Sequence, residues 1–142
     1  MSPKKVLEKW AAAFNERNAN ALIKLYAEDA EILQVAFGNE PLRGQKALLE
    51  SFVSFFEAFP DNYTNVENIF EDGEWAIIEW SGGGTFLGKL EDLEPTGKSF
   101  KLRGCGFFQI VNGKIKLQRG YWDKLTWFNQ IGIPVEKPVQ QI

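Results

Sequence analysis

The chain reads as an α+β domain, helices first and an antiparallel meander after them, and three observations predict it. Apolar residues recur at helical spacing as far as Phe59. Beyond Val66 they recur with a period near two. Asp72-Gly73 and Asn112-Gly113 then fall where tight hairpin turns belong. Helices followed by a run of paired strands pack on one face of the resulting sheet.

Each element has a local cause. Ser2 is an N-cap and Pro3 suits the first helical position, so a first helix carries Val6, Leu7, Trp10, Ala11, Ala13 and Phe14 to about Arg17. Asn18 caps a short second helix with Ala21, Leu22, Leu25 and Tyr26, and Asp29 marks a turn. Glu31 to Phe37 reads as a strand broken by Gly38-Asn39-Glu40-Pro41. A third helix runs from Gly44 toward Phe59 with Leu48, Phe52 and Phe56 on one stripe, Phe55 and Phe59 beside it, and Pro60-Asp61-Asn62 as its stop. Val66–Phe70 and Trp75–Thr85 form one hairpin, Ser99–Val111 and Lys114–Asp123 another. A last short helix or turn holds Leu125, Trp127, Phe128 and Ile131 until Gly132 and Pro134. One domain, residues 1–142, is expected, with a core over about 3–133 and a loosely ordered tail, 134–142.

Composition narrows the chemistry. Sixteen basic against nineteen acidic residues, a formal charge of −3, argue against a nucleic-acid partner, which needs a basic face. The chain has no histidine, which removes His-ligated zinc, His-dependent triads and His proton relays, and its single cysteine, Cys105, removes disulfide frameworks and Cys-Cys metal sites. No cofactor and no metal are expected. Met1-Ser2-Pro3-Lys4-Lys5 leads into an amphipathic segment, so a soluble, cytoplasmic domain without membrane contact is expected. Twelve Phe and five Trp point to an aromatic core or an aromatic-walled cavity.

Several motifs have bland readings. Asp92-Leu93-Glu94-Pro95-Thr96-Gly97-Lys98-Ser99 ends like a phosphate loop, but acidic residues stand where phosphate would sit and a strand follows where a helix should open. Gly82-Gly83-Gly84 reads as a bend in a long strand. Lys98, Lys101, Arg103, Lys114, Lys116 and Arg119 read as a solvated strand face, and Cys105 as a small buried hydrophobe. Glu79, between Ile78 and Trp80, is a candidate buried carboxylate paired with Arg103. Asp123 ends a strand beside Trp122 and near Tyr121. Burial among rings would raise its pKa and fit it for proton transfer, whereas its place before an apolar segment equally suits a helix cap.

The strands are apolar on both alternations, as at Ile77-Ile78, Phe107-Phe108 and Ile110-Val111. The second face of the sheet therefore needs a cover, and a second copy of the chain, a homodimer through the sheet, is expected to supply it.

The ordered string Trp10-Ala11-Ala12-Ala13-Phe14-Asn15, Leu25-Tyr26-Ala27-Glu28-Asp29-Ala30, Leu42-Arg43-Gly44, Ala58-Phe59-Pro60-Asp61, Ala76-Ile77-Ile78-Glu79-Trp80, Gly84-Thr85, Pro95-Thr96-Gly97, Asn112-Gly113-Lys114-Ile115, Tyr121-Trp122-Asp123 and Gln130-Ile131-Gly132 resembles the SnoaL-like branch of the nuclear transport factor 2-like superfamily, over about residues 8–133. The resemblance implies a cystatin-like cone, a curved antiparallel sheet wrapped by three helices around a pocket. Relatives include polyketide cyclases, ketosteroid isomerases and epoxide hydrolases. It implies Asp123 as the acid/base, with Trp10, Phe14, Tyr26, Phe56, Trp80, Phe86 and Tyr121 around a hydrophobic small molecule. Phe86 stands where the family's Gly-Thr-His motif has histidine, and Glu31-Ile32-Leu33-Gln34-Val35-Ala36 is more apolar than usual. Tyr26, Tyr121, Trp10, Trp80 and Gln34 are the available donors, Tyr121 or Tyr26 being the expected partner of a developing oxyanion. The implied function is cofactor-independent cyclisation or isomerisation of a hydrophobic carbonyl compound. The alternative is a non-catalytic dimer that binds an apolar ligand, and an epoxide-opening hydrolase, which needs polar side chains to hold water, fits less well.

Overall fold

Ser2 accepts a hydrogen bond from the Lys5 amide and Pro3 takes the first turn, so helix α1 covers Pro3–Asn15, its buried stripe being Val6, Leu7, Trp10, Ala11 and Ala13. The structure is a computed structural model that describes residues 1–136 and 139. Asn18 caps a short α2 (Ala19–Ile23), its side chain accepting from the Ala21 amide. Strand β1 (Tyr26–Gln34) begins earlier than the sequence suggests, and a 3-10 turn (Val35–Phe37) ends it. Tyr26 is therefore a strand residue, and Asp29 lies inside the strand, bonded to Lys116 across the sheet. The helical spacing of Leu22, Leu25 and Tyr26 misleads because cross-strand partners outweigh local periodicity.

A two-residue strand β2 (Leu42–Arg43) precedes α3 (Gln45–Ala58), and β3 (Tyr63–Asp72), β4 (Trp75–Thr85), β5 (Ser99–Val111), β6 (Lys114–Tyr121) and α4 (Lys124–Ile131) follow. The sheet order is β2-β1-β6-β5-β4-β3. Both Asx-Gly hairpins form, with Asn112 and Gly113 at positive φ as such turns require. The meander is not the whole sheet: β1 pairs with β6 in parallel, so the sheet is mixed.

Besides a shift between Tyr26 and Glu31 where β1 meets β6, the antiparallel register carries two irregularities, between Val66 and Asn68 on β3 and between Gln109 and Ile110 on β5. At the second, Gln109 faces Leu117 while Ile110 faces Ile115, leaving Lys116 as an extra residue in β6. An extra residue reverses which side chains point inward beyond it. Ile115 is inward before it, and Gln118 and Gly120 are inward after it.

Two apolar clusters hold the helices to the inner face. One joins α1, α2 and α3 to Ile32, Ile78, Phe108 and Ile110. The other joins the end of α3 to α4 through Phe59, Phe86, Leu90, Phe100, Trp127 and Phe128. Val139 belongs to the second cluster and its carbonyl accepts from Asn39, so the core extends past residue 133. The rest of the expected loose tail, residues 137, 138 and 140–142, lies outside the described residues. Among the described residues no helix is long and apolar enough to cross a membrane.

Candidate functional site

Between the two clusters lies a cavity of about 140 Å³. Trp10 and Phe14 of α1 and Phe52, Phe55 and Phe56 of α3 wall one side, Ile78, Trp80, Leu102 and Phe108 the sheet side, and Phe100, Trp122 and Trp127 the far end. The rings brace one another: Trp10 lies 5.1 Å from Phe14 and 5.2 Å from Phe108, and Trp122 is 5.5 Å from Trp127. Such offset and edge-on pairs hold their geometry without a ligand. Gly82, Gly83, Gly106 and Gly120 form part of the floor, and the missing side chains open the hollow. Gly82 does more than bend β4: a Cβ there would stand 2.5 Å from the Tyr63 carbonyl oxygen.

Polar groups are few and neutral. Trp10 Nε1 donates to Tyr26 Oη at 3.0 Å, and Tyr26 Oη donates in turn to Gln118 Oε1 through a short bond. Trp122 Nε1 donates to Gln34 Oε1 at 2.9 Å. Asn62, only 2% exposed, donates through Nδ2 to the Phe59 carbonyl at 2.8 Å, while its Oδ1 is buried with no partner among the described residues. Burial pushes the Tyr26 phenol far above its ordinary pKa, so it is a neutral donor at every working pH. Among the described residues no Asp, Glu, Lys or Arg lines the cavity.

Of the expected ligand contacts, Trp10, Phe14, Phe56 and Trp80 line the cavity. Tyr26 stands behind the wall and reaches it through Gln118. Phe86 is a correction: it is fully buried in the second cluster, 5.3 Å from Phe59, and fills core instead of facing ligand. Tyr121 is a second correction, 39% exposed on the outer face with its ring 5.6 Å from Phe107. The Lys116 irregularity explains it, because Arg119 and Tyr121 share the outward parity that follows the extra residue.

Asp123 is the third correction. It is exposed and caps α4: Oδ1 accepts from the Leu125 amide at 3.0 Å and the Thr126 amide at 3.4 Å, and Oδ2 from the Thr126 hydroxyl at 2.7 Å. These bonds, the Thr126 hydroxyl first, hold its carboxyl below the usual carboxylate range, opposite to the direction that proton transfer near neutral pH needs. Glu79 is the fourth. It is half-buried and accepts from Asn68 Nδ2 at 2.7 Å, while Arg103 pairs with Glu67 at 3.3 Å. Gln118, Asn62, Thr64 and Trp122 are among the lining residues that the sequence did not single out as site residues. Only knowledge of the register would have turned Gln118 inward.

A model of the SnoaL-like polyketide cyclase family matches residues 4–131. The aklanonic acid methyl ester cyclase DnrD of Streptomyces peucetius is 29% identical over 102 residues, 70% of each chain. Among solved structures, a SnoaL-like protein from Jannaschia sp. CCS1 superposes with a TM-score of 0.83 at 16% identity, covering 93% of this chain and 92% of that one. IdmH of Streptomyces antibioticus, a proposed polyketide cyclase, superposes with a TM-score of 0.76 at 24% identity, covering 94% and 100%. At these identities the two structures speak for the fold alone.

Proposed function

The chain belongs to the SnoaL-like polyketide cyclase family, and we propose that its cavity binds a hydrophobic, carbonyl-bearing small molecule by ring contacts and neutral hydrogen bonds, without acid/base turnover. One observation carries the reading: the wall is aromatic and, among the described residues, holds no carboxylate, lysine or arginine, in a chain without histidine. Abstracting a proton next to a carbonyl needs a base within hydrogen-bond reach. A neutral, ring-lined hollow instead favours binding of an apolar body with a small number of polar contacts. A single ring is enough to fill its interior, since a cavity of about 140 Å³ is near the roughly 150 Å³ that accommodates benzene in an engineered apolar cavity.

The named cyclase relative favours a second reading, ring closure or isomerisation with Asp123 as the acid/base. Its structural support is that Trp122, the preceding residue, lines the cavity. Reaching the ligand would require Asp123 to leave the α4 cap.

Acetophenone separates the two. Titration calorimetry is expected to give saturable binding, and ¹H NMR in D₂O to show its methyl protons exchanging no faster than in buffer alone. Accelerated exchange that disappears in Asp123→Asn would overturn the first reading in favour of the second, and absence of binding would overturn the first outright.

A second proposal concerns the outer face of the sheet. Phe70, Trp75, Ile77, Phe107 and Tyr121 are exposed or half-buried there, with the Arg119 guanidinium 5.2 Å from the Trp75 ring and 5.7 Å from Phe107. A second copy of the chain is the proposed cover. A two-fold interface must be complementary to itself, and a ring-rich patch whose Arg119 guanidinium lies over the Trp75 and Phe107 rings meets that condition.

A further inference from the structure

The orientation of one buried amide follows from the chemistry of its neighbours. An indole N–H only donates, so Tyr26 Oη must accept from Trp10, and its single proton is left to donate onward. Turning the amide round would let Nε2 donate to the same oxygen, which can accept twice, but would leave the buried Tyr26 proton with no acceptor among the described residues, so the atom facing Tyr26 is Oε1. The usual ambiguity of a glutamine side chain is thereby removed. Nε2 then faces away from Tyr26. Gln118 lines the cavity and is 8% exposed, and among the described residues its Nε2 donates to no protein atom.

We propose that the Gln118 amide N–H is the specificity determinant of the cavity, donating to the oxygen of a ligand about one ring in size, with Tyr26 and Trp10 as the positioning residues that keep it a donor. The inference rests on the cavity being a ligand site and adds what that site selects: a ketone, enone or quinone oxygen over an isosteric hydrocarbon. A neutral, preorganised donor on a residue only 8% exposed discriminates by the worth of one hydrogen bond, about three- to tenfold in affinity.

The probes are acetophenone and α-methylstyrene, in which a methylene replaces the carbonyl oxygen. Wild type is expected to bind the ketone about three- to tenfold more tightly, and both Gln118→Leu and Tyr26→Phe to bring that ratio to about one. Tyr26→Phe tests positioning apart from packing, because a purely structural role would weaken both probes together and keep the ratio. A measurement on the unaltered protein does not depend on either variant folding: the Gln118 side-chain NH₂ pair in a ¹⁵N spectrum is expected to shift with acetophenone and stay in place with α-methylstyrene. Equal binding of both probes, or a ketone that leaves the Gln118 signal unmoved, overturns this inference and leaves the pocket reading intact. Binding of neither probe overturns both.

Discussion

Asp123 shows how little separates a cap from a catalyst when only the neighbours in sequence are known. Aromatic neighbours suggest burial, yet the carboxylate takes two backbone amides and the Thr126 hydroxyl at the start of α4. The expected outcome of a carboxyl ¹³C titration is a midpoint below the ordinary aspartate value of about 3.9, and a midpoint near 6 would contradict the cap. A depressed folded pKa means that the stabilisation is present above the unfolded value and is lost as pH falls through the folded one. Asp61, held low first by the Thr85 hydroxyl, and Asp29, held low first by Lys116, act in the same direction. Thermal melts should therefore decline together as pH drops below about 4. Asp123→Asn should keep the melting temperature, since asparagine caps as well as aspartate, while Asp123→Ala should lower it by a few degrees.

At the scale of elements, β5 and β6 decide the site. Gly104, Gly106 and Gly120 occupy positions where side chains would close the hollow or strike a neighbour. A Cβ on Gly104 would stand 2.6 Å from the Trp80 ring and 2.6 Å from the Tyr121 carbonyl oxygen. The carbonyl cannot yield without moving the strand, so Gly104→Ala is expected to cost about 1–3 kcal/mol in a denaturant melt, the range for overpacking. A change within 0.5 kcal/mol would show that the strands have slack. The hairpins, most of the helices and the caps at Ser2 and Asn18 were legible in the sequence because their causes are local, and the cap at Asp123 stood there as one of two readings. The register of β6 was not legible. Whether Tyr121 or Gln118 faces inward depends on the extra residue Lys116, and nothing in Lys114–Tyr121 alone announces it.

For the whole molecule, the two faces of the sheet have different assignments. The inner face carries the cavity, and the outer carries Trp75, Phe107, Tyr121 and Arg119. If the outer face joins two copies, sedimentation at micromolar concentration should give a dimer. Trp75→Glu should then give a monomer that still binds acetophenone, because Trp75 lies on the face away from the ligand. A wild-type monomer would remove the dimer proposal without touching the cavity.

The residues by themselves determined that this is an α+β domain of the SnoaL-like kind, rich in rings and barred from histidine chemistry. Periodicity, caps and turns act over a handful of positions, and composition acts over none. Only the tertiary structure decided that Asp123, Tyr121 and Phe86 stand outside the cavity and that Gln118 faces into it. Those placements depend on a single register shift between strands and on how two apolar clusters divide the interior, and both are set by contacts between residues far apart in the chain.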